Sequence, residues 1–157
     1  MLLTKITITM KNTDVKNILI VDDLPENLQT IADFFGESKL PYRIFKAPDG
    51  EIALKILEKK HLDLVITDWE MPIMDGIELT HRVRNNPRTA DIPVIMCTGV
   101  MTTSEHLEIA LKAGAMDYIR TPVDKIELFA RVRSALLLAE SAFTINNYLN
   151  CMCQYIR

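Results

Sequence analysis

The chain has 157 residues and a mass of 17.9 kDa; 48% of its residues are hydrophobic and 25% charged. That length fits one domain with a helix to spare, and burial of roughly 70% of the unfolded surface needs no disulfide or metal staple. Lys and Arg total 18 against 21 Asp and Glu, a net charge of -3, which argues against a general nucleic-acid binder, and no stretch approaches the roughly 18 apolar residues of a membrane span.

Residues 1–16 read as an N-terminal extension. Their opening, MLLTKITITMKN, lacks a long apolar run and a small-residue cleavage site, so no signal peptide is predicted. Ile18 to Val21 is a short apolar run, followed by Asp22 and Asp23. Helical periodicity then covers Glu26–Ser38, with Pro25 at its start. Ile44 to Ala47 lies in a mixed segment, and Gly50 precedes a helix over Glu51–Lys59. Leu62 to Thr67 reads LDLVIT and leads to Asp68. Gly76 precedes a helix over Ile77–Arg84. Ile92 to Cys97 reads IPVIMC, and Ser104 is placed to cap a helix over Glu105–Lys112. Gly114 is placed to stop that helix, and Tyr118-Ile119 forms a last short run. Short apolar runs bounded by Gly, Pro and Asp suit strands buried on both faces. The alternation βαβαβαβαβα predicts a parallel sheet with helices on both faces.

From Lys125 to Arg157 there is neither Gly nor Pro. An unbroken helix there would reach about 50 Å, more than one domain needs. Leu138, Ala142, Ile145, Leu149, Met152 and Ile156 alternate at spacings of four and three, a heptad stripe. Asn146, Asn147 and Asn150 dilute its helix propensity. Residues 141–157 are therefore a C-terminal helical extension that either packs back on its own domain or leads toward a dimer partner or an output domain. The three cysteines, Cys97, Cys151 and Cys153, are an odd number, and cytosol is the expected compartment. Cys151 and Cys153 have no second Cys or His pair nearby and make a poor zinc site.

In an open parallel sheet, chemistry sits outside the carboxyl ends of the strands. Asp22 and Asp23 end the first strand, Asp68 the third and Thr98 the fourth, while Thr121 and Pro122 follow the fifth. Three carboxylates converging there would repel one another unless a cation neutralised them. Their oxygen-only chemistry favours a hard ion such as Mg2+. His61, His81 and His106 are scattered on helices or helix ends and are expected to face solvent. A carboxylate beside such a cation can attack a phosphoryl group and become an acyl phosphate, and Thr98 could donate to a phosphoryl oxygen.

These residues resemble the receiver domain of two-component response regulators. The resemblance rests on Asp22-Asp23 after ILIV, on DWEMPIMDG from Asp68 to Gly76, on PVIMCTG from Pro93 to Gly99, and on GAMDYIRTP from Gly114 to Pro122. It implies a flavodoxin-like doubly wound five-stranded parallel sheet of order 2-1-3-4-5, with the receiver over residues 17–140. It implies Asp68 as phosphoacceptor, and Asp23 and Asp68 as direct Mg2+ ligands with Asp22 acting partly through water. The backbone carbonyl of Glu70 would be a further ligand. Thr98 matches the switch hydroxyl and Tyr118 the switch aromatic. Met71-Pro72 and Asp75-Gly76 match the loop beneath the site, and Thr121–Pro122 matches a cis peptide. Glu70 and Val100 match positions that flank the hydrolytic water.

One position departs from the family pattern, which has Lys immediately before the Pro of the last loop. Here that residue is Thr121, and the charge lies one residue earlier on Arg120. Neighbouring strand residues point to opposite faces, so Arg120 could substitute only across an irregular backbone. The implied function is a phosphorylation-dependent switch fed by a histidine kinase or phosphotransfer protein. Its signal would leave through the fourth helix, fifth strand and fifth helix to a homodimer or an output partner. Leu128, Val132, Ala135 and Leu136 of the fifth helix can cover the sheet, while Phe129 and Leu136–Leu138 leave apolar surface over. The run RVRSALLLAE resembles the junction before catalytic output domains. No DNA-binding helix pair follows, so direct DNA binding is not expected. The missing Lys also permits an interaction domain that works without phosphate. A phosphoaspartyl hydrolase would need an acid/base residue and a capping element that the sequence lacks. No conventional enzyme is expected in these residues; the resemblance allows only self-phosphorylation from a phosphodonor and autodephosphorylation.

Overall fold

A computed structural model describes residues 15–99 and 103–155, with side chains described to residue 149. The elements run β1 (Lys16–Val21), α1 (Pro25–Gly36), β2 (Tyr42–Ala47), α2 (Gly50–Lys59), β3 (Leu64–Asp68), α3 (Gly76–Asn85), β4 (Val94–Thr98), α4 (Ser104–Ala113), β5 (Asp117–Arg120) and α5 (Lys125–Tyr155). All five strands are parallel, in the order β2-β1-β3-β4-β5. This is the expected doubly wound, flavodoxin-like sheet. The order reverses between β1 and β3, and a crevice opens there at the carboxyl ends of the strands.

Alternation along each strand divides the core into two layers. Ile18, Ile20, Leu64, Ile66, Ile95, Cys97 and Ile119 face α1 and α5, where they meet Leu28, Ile31, Phe35, Leu128, Val132 and Ala135. Leu19, Val21, Val65 and Val94 face the other way, onto Ala53, Leu57, Leu79 and Val83 of α2 and α3. A smaller cluster of Met96, Ala110 and Ala115 lies under α4, with Trp69, Ile77 and Tyr118 against it.

Strand boundaries differ from the apolar runs where partners extend them. β1 and β2 begin two residues early because Lys16 pairs with Tyr42, whose ring packs on Phe35 and Phe129 at 5.0 and 6.4 Å. β3 starts at Leu64 and continues to Asp68, which pairs with Cys97. Gly50 and Gly76 are the first residues of their helices. The caps before them are Asp49 and Asp75, which accept from the N–H groups of Ile52 and Glu78 at 2.7 and 2.8 Å. Ser104 opens α4 and is not its cap; Thr103 holds that position, with no side-chain cap bond. Gly114 ends α4 at φ 100°, with the Arg84 side chain in the space a Cβ would need.

α5 spans 31 residues. Leu128, Val132, Ala135 and Leu136 cover the sheet as expected. Phe129 is not spare surface: it is half-buried, edge-on to Phe35 at 5.4 Å. Glu140 is tied to Lys16 at 2.7 Å. Beyond it every residue from 141 to 149 is exposed. Leu138 and Ile145 are each 59% exposed and Leu149 57%. No helix among the described residues is long and apolar enough to cross a membrane.

Candidate functional site

A cleft of about 290 Å³ opens at the carboxyl ends of β1, β3 and β4. Asp23, Leu24, Asn27, Asp68, Trp69, Glu70, Thr98, Gly99 and Thr121 line it, and no cationic residue is among them. The sheet sets this geometry. β3 ends on Asp68, and the next N–H, of Trp69, donates to Cys97 O at 2.8 Å, which keeps the end of the strand in register. The return of the chain into α3 requires a glycine. A Cβ on Gly76 would lie 2.2 Å from Asp68 O, and Gly76 N–H donates to Trp69 O at 2.9 Å. Within the same turn Ile73 adopts φ 71°, a left-handed conformation that a β-branched residue adopts only under constraint.

Asp22 is buried, at 2% exposure. Its Oδ1 accepts from Leu24 N–H at 2.9 Å, and Asn27 Nδ2 donates to Oδ1 and Oδ2 at 3.2 and 3.0 Å. Burial raises its carboxyl above the usual range, opposed by those two donors, and Asp23 adds to the rise. Asp68 is pushed up to about 6, first by burial and next by the neighbouring charge of Asp22; Asp23 adds to this. The N–H groups of Trp69 and Glu70 pull it back. Such a site is short of positive charge.

Among the described residues, no three His, Cys, Asp or Glu side chains form a ready-made metal cage. Asp22 accepts from Leu24 and Asn27 and is not among the described residues lining the cleft. The remaining donors still fit a hard ion. Mg2+ keeps several waters and needs only one or two carboxylates, which Asp23 and Asp68 offer in one cleft beside Glu70.

The fourth and fifth strands bring the other candidates near. Thr98 ends β4, 2% exposed, and its carbonyl accepts from Thr121 N–H at 2.9 Å. A Cβ on Gly99 would stand 2.9 Å from Thr121 Oγ1, so Gly99 makes room for the threonine that lines the cleft. The Thr121–Pro122 peptide is cis. Arg120 pairs with Thr98 in the β4–β5 register, is exposed, and is not among the described residues lining the cleft. Tyr118 pairs with Met96, two residues before Thr98 on the same face. Its ring is half-buried under Arg131, whose guanidinium lies 5.6 Å from the ring centre and binds both Asp117 oxygens at 2.7 Å. Val100 lies outside the described residues.

Three contacts were not anticipated from sequence. Asn27 had no distinguishing signal beyond lying one helical turn after the acidic pair. His106 is half-buried rather than solvent-facing. It stands edge-on to Trp69 at 6.2 Å, and its Nδ1 lies 3.2 Å from Thr103 Oγ1. His61 and His81 are exposed as expected. The Arg131–Asp117 pair joins α5 to β5 over Tyr118. Cys97 is buried in the core, and burial pushes its thiol up, so it is inert.

A family model of the response regulator receiver domain matches residues 18–133. The chain is 37% identical over 128 residues to a probable cyclic di-GMP phosphodiesterase of Vibrio cholerae, a match covering 82% of this chain and 28% of that protein. The signal receiver domain of an HD domain-containing protein from Pseudomonas fluorescens Pf-5 superposes with TM-score 0.74 at 29% identity, covering 82% of this chain and 99% of that one. The receiver domain of the sensor histidine kinase PA1611 from Pseudomonas aeruginosa PAO1, solved with magnesium coordinated in its active-site cleft, gives 0.70 at 27%, covering 78% and 98%. The chain thus belongs to the response regulator receiver domains of two-component signal transduction, a class of phosphorylation-dependent switches. It spans only 25% to 57% of the length of the curated relatives it matches.

Proposed function

We propose that Asp68 accepts a phosphoryl group from a histidine kinase or phosphotransfer protein, with Mg2+ held by Asp23, Asp68 and the Glu70 carbonyl, and by Asp22 through water. The observation that carries this reading is the Asp68 carboxylate at the end of β3, lining a cleft with Asp23 and beside Asp22, its pKa pushed up to about 6 by burial and by their charge. An Asp68 oxygen bonds to phosphorus as the donor's P–N bond breaks, and the imidazole nitrogen keeps the electron pair. When bound, Mg2+ supplies the positive charge that screens the phosphoryl oxygens. Thr98 donates its hydroxyl to one of those oxygens, and the movement reaches Tyr118 on the same sheet face. From there it reaches the α4–β5–α5 surface through the Arg131–Asp117 pair. Glu70, exposed at the rim, and Val100 tune access of the hydrolytic water.

Residues 17–140 form the receiver, and 141–157 form a helical extension that pairs with a second copy or leads into an output domain, in a cytoplasmic protein. The exposed heptad face of Leu138, Ala142, Ile145 and Leu149 supports that role. Thr121 at the family Lys position leaves phosphorylation intact and alters its coupling to the surface. A second reading, a receiver that binds its partner without phosphate, is favoured by the lack of any cation among the described lining residues. Incubation with Mg2+ and acetyl phosphate, followed by intact mass measurement, separates the two. The first predicts one phosphoryl adduct that is lost in Asp68→Asn. No adduct on a folded protein overturns it and leaves the second.

A further inference from the structure

A buried carboxylate is stable only when its oxygens are occupied. Asp22 meets this need with one backbone N–H and one side-chain amide. The amide of Asn27 reaches both oxygens, at 3.2 and 3.0 Å, while Leu24 N–H takes Oδ1 alone at 2.9 Å. Straddling contact of this kind fixes the plane of the carboxylate as well as its place. A carboxylate oxygen has two lone pairs, so Oδ1 is filled and Oδ2 keeps one open. Asn27 also lines the acidic cleft beside Asp23 and Asp68. It stands in the first turn of α1, a helix whose N-cap residue, Leu24, makes no side-chain cap bond. Nothing in the cap of α1 itself calls for an amide at this position.

We propose that Asn27 is a positioning residue for the divalent cation: it holds the buried Asp22 in one orientation and leaves Oδ2 an open lone pair toward the cation's water shell. The role rests on the receiver reading above, since it presumes a cation between Asp23 and Asp68. Asn27 acts through Asp22 and does not touch the ion. Partners one step removed from a metal typically change its affinity 10- to 100-fold when removed.

The test is a Mg2+ titration of the full chain read by the fluorescence of Trp69, the one tryptophan, which lines the same cleft. Asn27→Ala weakens Mg2+ binding about 10- to 100-fold in a variant that still melts cooperatively. In an Asp22→Asn background the same substitution changes affinity by less than about twofold, because the group it acts through has gone. Asn27→Leu, similar in size and without the donor, is titrated if the alanine variant does not fold, with the same expected loss. An affinity within about twofold of wild type in the folded single variant overturns the role of Asn27. So does a full-sized loss that persists in Asp22→Asn. A wild-type chain that shows no Mg2+ response overturns the receiver reading as well, whereas a normal wild-type response that survives the variants overturns only this inference.

Discussion

Asp68 sets the chemistry at the scale of single residues, and its ionisation has a measurable sign. Its carboxyl lies near 6 in the folded, metal-free protein against an ordinary 3.8. The folded state thus holds the proton more tightly than the unfolded chain, so metal-free stability falls as pH rises from about 4 to about 6. Asp68→Asn removes that loss. Thermal melts without Mg2+ should show the variant more stable than wild type above pH 6, with the gap closing toward pH 4. A gap that stays constant across this range would contradict the burial and charge effects assigned to Asp68. The positions of the acidic pair, Asp68 and Thr98 at strand ends were legible in sequence because each follows or ends an apolar run, and Tyr118 drew notice as a candidate only through the motif GAMDYIRTP. The hydrogen bonds that distribute Asp22 between Leu24 and Asn27 were not legible. They depend on a turn whose geometry no periodicity encodes. His106 was misread for the same reason: only the packing of α4 brings it to Trp69.

At the scale of elements, strand existence followed from apolar runs and the alternating pattern, strand order from the resemblance to receiver domains, and strand ends from partners. Tyr42 and Lys16 are too polar to announce a strand, yet pairing across β1 and β2 recruits both. The boundary residues Gly50, Gly76 and Gly114 were visible, but the caps that fix α2 and α3 were the neighbouring aspartates. α5 carries the clearest prediction at this scale. Its outer face presents Leu138, Ile145 and Leu149 to solvent, and the described residues from 141 to 149 carry no charge to repel a second copy. Light scattering should report a dimer, and a double variant Ile145→Glu, Leu149→Glu should dissociate it. Burial of each such side chain contributes about 1.5–3 kcal/mol, so loss of two weakens association by roughly a hundredfold or more. A wild-type monomer at high concentration would leave the extension to an output partner.

For the whole molecule, the sheet separates two jobs. The carboxyl end of β1 and β3 holds the acidic cleft, while in the proposed switch β5, α4 and α5 present the surface that responds to it. Thr98 and Tyr118 stand on one face of adjacent strands, and Arg131 ties the second of them to α5 through Asp117. A phosphoryl group adds charge and acceptor oxygens at one end of this line, and a bistable packing at the other end would turn it into a signal. Backbone amide shifts in the presence of Mg2+ and a beryllofluoride mimic test that account most directly. The predicted result is a continuous set of changes from Asp68 through Thr98 and Tyr118 to the α4–β5–α5 surface, absent in Asp68→Asn. A folded protein whose amides do not respond to the mimic, or respond equally in the variant, would contradict it.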